Sequence, residues 1–175
     1  MDVMIQPLPI AEVDRTETGS DFEEFFRTVY DDLARALLLL TGEAAEAEDI
    51  AQEALARAYE RWDRVSRMES PAGYVFRTAM NLNRKRLRRI AVRARRWLPS
   101  GVARDPIGAA EDRTEVLRIL RSLPSSQREA LVLVEWLELD VNEAAAVLRI
   151  APSSVRGRVF RARAAIRERF GDDDG

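Results

Sequence analysis

The chain has 175 residues, a formal net charge of −2, and neither cysteine nor histidine. It therefore lacks a disulfide framework, the usual ligands of a structural zinc site and the commonest general acid/base, so an enzyme built on it would have to run on carboxylates alone. Apolar content of 46% with 33% charged residues is that of a soluble globular protein, and no apolar run is longer than Ala36–Leu40, far below the roughly 18 residues a membrane span needs. No secretory signal is readable at the N-terminus, which leads us to expect a cytoplasmic protein without membrane insertion.

The small net charge hides a segregation. Residues 1–70 carry −10, residues 71–104 carry +10, residues 105–149 carry −4, residues 150–170 carry +5 and the last five carry −3. Two basic segments separated by acidic ones suit a chain that meets nucleic acid on some faces and a protein partner on others.

In chain order, residues 1–19 mix Pro, Asp, Glu and Thr without periodicity and are expected to be a disordered tail. Ser20 and Glu23 have capping-box spacing and predict a helix start. Phe22, Phe25, Phe26, Val29, Tyr30, Leu33, Leu37 and Leu40 then recur at three and four residues, up to a left-handed stop at Gly42. A second helix is predicted over residues 44–64, with Ala47, Ile50, Ala51, Ala54, Leu55, Ala58, Tyr59 and Trp62 as its apolar stripe. Asp49, Gln52 and Glu53 share a face off that stripe and offer charge and acceptors to a basic helical partner. After a loop at residues 63–69, Ser70 caps a third helix with Pro71 at its first position. Tyr74, Val75, Ala79 and Leu82 face its core side, while Arg77, Arg84, Lys85, Arg86, Arg88 and Arg89 crowd the other side. Asn81 is an unfavourable helix-interior residue, which suggests a polar role.

Pro99, Gly101, Pro106 and Gly108 mark residues 97–112 as a flexible linker, across which two parts would move independently. Beyond it a short helix over residues 114–122 precedes Pro124. Ser126 with Glu129, and Asp140 with Glu143, form two further capping-box spacings that open helices reaching about Leu137 and Leu148. A tight connection at residues 149–151 leads to a last helix from Pro152 to about Arg169, and the pattern is that of a helix-turn-helix. Ser153 and Ser154 stand in the first turn of this candidate recognition helix, followed by Arg156, Arg158, Arg161 and Arg163; its first turns would meet base edges and its flanks phosphates. The fold class expected is all-α: an N-terminal helical bundle over residues 20–96, a four-helix helix-turn-helix domain over residues 113–170, and an acidic tail at 171–175.

Four segments in this order resemble the extracytoplasmic-function (ECF) sigma factors, over about residues 20–170. The run EDIAQEALARA from Glu48 to Ala58 is similar to the family's polymerase-binding helix. PAGYVFRTAMNL from Pro71 to Leu82 resembles the segment that melts and reads the minus-ten element. LPSSQREAL from Leu123 to Leu131 is similar to the opening of the minus-thirty-five domain, and VRGRVFRAR from Val155 to Arg163 to its recognition helix.

The resemblance implies a sigma factor that binds core RNA polymerase through Asp49, Gln52 and Glu53, against the coiled coil of the largest subunit. Promoter DNA would be contacted through Arg77, Asn81, Arg84, Lys85, Arg88 and Arg89 on the melted strand, and through Ser153, Ser154, Arg156, Arg158, Arg161 and Arg163 on the upstream duplex. The loop at residues 63–69 corresponds to the one that captures a flipped minus-ten base. An anti-sigma protein is a candidate further partner; no catalysis, cofactor or metal is expected. Trp62 and Tyr74 read as core aromatics rather than base-stacking platforms.

The chain departs from the family pattern at Arg149, where the turn usually has glycine, and at Ala151, where the recognition helix usually has a serine cap. It departs again at Gly157 inside that helix and at Lys85 in place of a frequent acid. The alternative is a stand-alone helix-turn-helix regulator, but residues 20–96 show neither the strands nor the pocket-forming glycine pattern of a sensor domain. An enzyme using a pair such as Asp49 and Glu53 lacks a phosphate loop, metal cluster or nucleophile–base set.

Overall fold

The computed structural model describes residues 15–97 and 115–170. Every regular element among the described residues is helical: α1 (Arg15–Thr41), α2 (Ala44–Tyr59), α3 (Trp62–Val65), α4 (Pro71–Trp97), α5 (Glu115–Arg121), α6 (Ser125–Leu131), a π-helical turn (Val132–Trp136), α7 (Val141–Leu148) and α8 (Pro152–Phe170). The expected linker lies almost wholly outside the described residues, as do the acidic tail and residues 1–14 of the expected disordered tail.

The apolar stripes pack as their spacing requires except at Tyr59, which is 57% exposed where the α2 stripe ends. Val29, Leu33, Leu37 and Leu40 of α1 are buried against Ile50, Ala54, Leu55 and Ala58 of α2 and Val75, Ala79 and Met80 of α4. Phe22, Phe25, Phe26 and Tyr30 close the open end half-buried. α1 does not start at Ser20: it is helical from Arg15, which also makes residues 15–19 part of the fold rather than of a tail. Capping-box spacing permits a start without enforcing one, and Gly19 inside a helix costs only about 1 kcal/mol. Gly42 makes the expected stop at φ 74°. The predicted second helix is broken after Tyr59, where Arg61 leaves helical backbone at φ −126°. Beyond the break Trp62 turns inward onto Phe22 and Phe25, at centroid distances of 5.1 and 4.8 Å, and this aromatic packing sets the bend. Trp62 is accordingly a core residue, and Tyr74 packs half-buried against the same core. Ser70 caps α4 as expected, its Oγ accepting from the Gly73 amide at 2.9 Å.

The C-terminal half folds around Leu117, Leu120, Leu123, Leu131, Leu133, Leu148, Val155, Val159 and Ala162. The Asp140–Glu143 capping box forms in full: Asp140 Oδ1 accepts from the Asn142 and Glu143 amides at 2.6 and 2.9 Å, and Glu143 Oε2 accepts from the Asp140 amide at 2.8 Å. The Ser126–Glu129 box does not form. The N-cap is instead Pro124, two residues earlier and without a side-chain cap, because Glu129 is turned inward to a guanidinium from the other half; a charge-assisted fork outweighs one backbone amide. Arg149 takes the left-handed conformation at φ 55°, ψ 49°, the glycine-like turn the helix-turn-helix needs. A side chain there costs about 1–2 kcal/mol, and glycine loses about 0.5–1 kcal/mol more on folding. Arg149→Gly should therefore stabilise the chain by about 0.5–1 kcal/mol in urea unfolding; destabilisation would show that the arginine side chain makes a contact worth more than the backbone strain.

The two halves were expected to move independently, yet here they are packed on one another. α5, α6 and the π-helical turn lie against α1, and α7 lies along α4. The reason is visible at the end of α1, where Ala36, Leu37, Leu39 and Leu40 are all buried and Leu38 is half-buried. A helix that is apolar all round must be covered on both sides.

Candidate nucleic-acid interface

α2 buries Ala47, Ile50, Ala51, Ala54, Leu55 and Ala58, and this orients its opposite face outward. Asp49, Gln52 and Glu53 are all exposed on that face. Glu53 accepts from Arg57 Nη2 one turn on at 2.5 Å, a solvated pair of the kind that contributes little to stability.

α4 presents its cations in two environments. Asn81, Lys85, Arg88 and Arg89 are exposed, whereas Arg77 is half-buried and Arg86 pairs with Glu46 of α2. Arg84 is drawn inward: its Nε donates to both carboxylate oxygens of Glu129 at 3.0 and 3.1 Å, and its Nη2 donates at 2.7 Å. Asn83, which the residue pattern did not single out, is the buried asparagine of this helix at 2% exposure; Asn81 is left on the solvent side.

On α8, Ser153, Ser154, Arg156 and Arg161 are exposed in and beyond the first turn. Pro152 opens the helix in place of a serine cap. Gly157 leaves room beside Arg161, whose Nη1 stands 3.4 Å from where a Cβ would sit, so this glycine accommodates a side chain without severe conflict. Arg163 donates to Glu135 of the π-helical turn, and Arg158 is half-buried. Arg158 meets Arg84, Leu87 and Arg88 of α4 at one cleft of about 310 Å³, completed by Ser125, Ser126, Glu129, Leu148 and Ile150.

The two basic helices thus converge at one cleft, and each keeps exposed cations of the kind that can neutralise phosphates. Arg128, which the residue pattern did not single out, and Glu129, expected only as a capping residue, hold this arrangement. Arg128 is 1% exposed, with Nη1 donating to the Leu40 carbonyl at 3.0 Å and Nη2 to the Leu123 carbonyl at 3.1 Å. Among the described residues no helix is long and apolar enough to cross a membrane.

The chain matches the family description Sigma-70 region 2 over residues 25–93 and Sigma-70, region 4 over residues 113–166. It is 31% identical over 156 residues to the RNA polymerase sigma-E factor of Streptomyces avermitilis, covering 88% of this chain and 87% of the relative. It is 29% identical over 155 residues to the ECF RNA polymerase sigma factor SigC of Mycobacterium tuberculosis, covering 85% and 82%. In fold it is similar to the sigma factor RpoE of Bartonella quintana, solved in complex with the anti-sigma factor NepR, at a TM-score of 0.73 and 21% identity over 88% of this chain and 99% of that one. Two family regions in order, relatives matched along most of their length and an all-helical fold of the same kind place the chain in one family: it belongs to the ECF sigma factors, RNA polymerase sigma factors that direct promoter recognition in transcription initiation.

Proposed function

We propose that residues 20–96 carry polymerase binding and the handling of the melted minus-ten strand, and that residues 113–170 read the minus-thirty-five duplex. The observation that carries this division is the exposure of an acidic face on α2, opposite its buried stripe, beside two outward basic arrays on α4 and α8. Asp49, Gln52 and Glu53 dock on a basic helical surface of core polymerase. Asn81, Lys85, Arg88 and Arg89, with Arg77 and Arg84 behind them, lie along the melted strand. Ser153, Ser154 and Arg156 meet base edges in the major groove, and Arg158, Arg161 and Arg163 follow the phosphates. The protein works without catalysis, in the cytoplasm where its polymerase is, and an anti-sigma protein is a natural antagonist.

The docking face is tested in the full chain by the double variant Gln52→Ala, Glu53→Ala. Both sites are exposed, so each substitution should change stability by under about 0.5 kcal/mol. Core-polymerase affinity measured by fluorescence anisotropy should fall several-fold, with duplex DNA affinity unchanged. Undiminished core binding would remove these residues from the interface.

A further inference from the structure

The joint between the two halves leaves a cleft of about 310 Å³, at the lower end of the range of small-molecule sites. Its charge is unbalanced. The guanidiniums of Arg84, Arg88 and Arg158 line it against a single carboxylate, that of Glu129. That carboxylate is already taken, because Arg84 forks onto it at 2.7 to 3.1 Å. Arg88 and Arg158 make no hydrogen bond or ion pair with any other described residue. Arg158 is half-buried, so it gives up part of its hydration with no counter-charge in return, and this favours an anion at its side. The Ser125 and Ser126 hydroxyls, equally unengaged among the described residues, add neutral donors, and Leu87, Leu148 and Ile150 add apolar surface.

We propose that this cleft binds a small phosphate monoester of the size of a mononucleotide. Arg88 and Arg158 hold the phosphate, the serine hydroxyls donate to its remaining oxygens, and Leu87, Leu148 and Ile150 cover the organic body. A monoester phosphate carries about −1.5 to −2 charges at pH 7 and three strong acceptor oxygens, which matches two planar guanidinium forks and two hydroxyls. A carboxylate ligand would pair with one guanidinium and leave the other uncompensated. A DNA backbone offers the same oxygens in a poorer form: each internal phosphate is a diester with a single charge, and chain leaves it on both sides, whereas the cleft is too small to admit a duplex. The site is independent of the polymerase and promoter reading, since it needs only the cations and the cavity that the fold brings together.

Isothermal titration calorimetry on the full chain at fixed ionic strength tests the site, with adenosine monophosphate, inorganic phosphate and adenosine as probes. The monophosphate should bind with a sub-millimolar dissociation constant, inorganic phosphate more weakly, and adenosine not at all. Arg88→Met or Arg158→Met keeps the aliphatic stem, removes the fork, and should weaken binding of the monophosphate roughly tenfold. Arg161→Ala removes an exposed charge of α8 that does not line the cleft and should leave binding unchanged. Equal weakening by Arg161→Ala would mark a general charge effect and overturn the site, as would binding of neither phosphate probe, or of adenosine as tightly as its monophosphate. Should Arg158→Met fail to fold by circular dichroism, Arg88→Met decides, because Arg88 is exposed and exposed substitutions seldom unfold a protein. A short thymidine oligonucleotide with hydroxyls at both ends separates the two sources of phosphate. It should not displace the bound monophosphate, and displacement at equal concentration would assign the cleft to a strand backbone and overturn the small-ligand site.

Discussion

Arg128→Met should be the most damaging single substitution in the chain, lowering the free energy of unfolding by about 3–5 kcal/mol. Arg128 is 1% exposed and spans the joint, donating to the carbonyls of Leu40 and Leu123. A hydrogen bond from a charged donor contributes about 1.5–3 kcal/mol, and its loss leaves buried carbonyls unpaired. Methionine replaces the aliphatic stem but none of the donors. Against a typical stability of about 5–15 kcal/mol, such a loss should bring the melting transition down by about 6–20 °C. Urea unfolding followed by far-UV circular dichroism measures it, and a change under 1 kcal/mol would show that the joint contributes little to the fold.

The second large effect concerns promoter readout. Arg156 is exposed in the second turn of α8, where a side chain reaches a base edge; Arg161 lies further along. Arg156→Ala should cost roughly 1–3 kcal/mol on a matched upstream element and relax preference at one base pair, whereas Arg161→Ala should weaken all sequences alike and reduce the salt slope by about one. Arg88→Ala, on exposed α4, should spare the upstream duplex in the polymerase complex and impair strand opening. Binding titrations at several salt concentrations, paired with a permanganate strand-opening assay, separate these outcomes. If Arg88→Ala and Arg156→Ala both abolished duplex binding and left opening untouched, the division between α4 and α8 would be wrong.

Much of this architecture is legible in the residues because the signals are local. Pro71 behind Ser70, the Asp140–Glu143 box, the stop at Gly42 and the turn at Arg149 each act within four residues, and each forms as its chemistry predicts. The exposed face of α2 follows from the period of its alanines and Ile50. What the pattern conceals is long-range. Glu129 has the spacing of a capping residue, and only the arrival of Arg84 from 45 residues away turns it into half of a buried pair. The second covering of α1 was signalled by the unbroken Ala36–Leu40 run, which a one-sided amphipathic stripe does not need, but its cover comes from the other end of the chain. The bend at Arg61 likewise depends on Phe22 and Phe25 meeting Trp62, and the π-helical turn at Val132–Trp136 interrupts a segment that reads as plain helix.

The most direct test of the account is run-off transcription by core polymerase on promoter fragments, with the chain present or absent. The account predicts transcripts from defined start sites only when the chain is added, reduced by Gln52→Ala with Glu53→Ala through weaker recruitment and by Arg88→Ala through slower opening. Transcription that is independent of the chain, or duplex binding by the chain that never recruits polymerase, would contradict it and favour a stand-alone helix-turn-helix regulator.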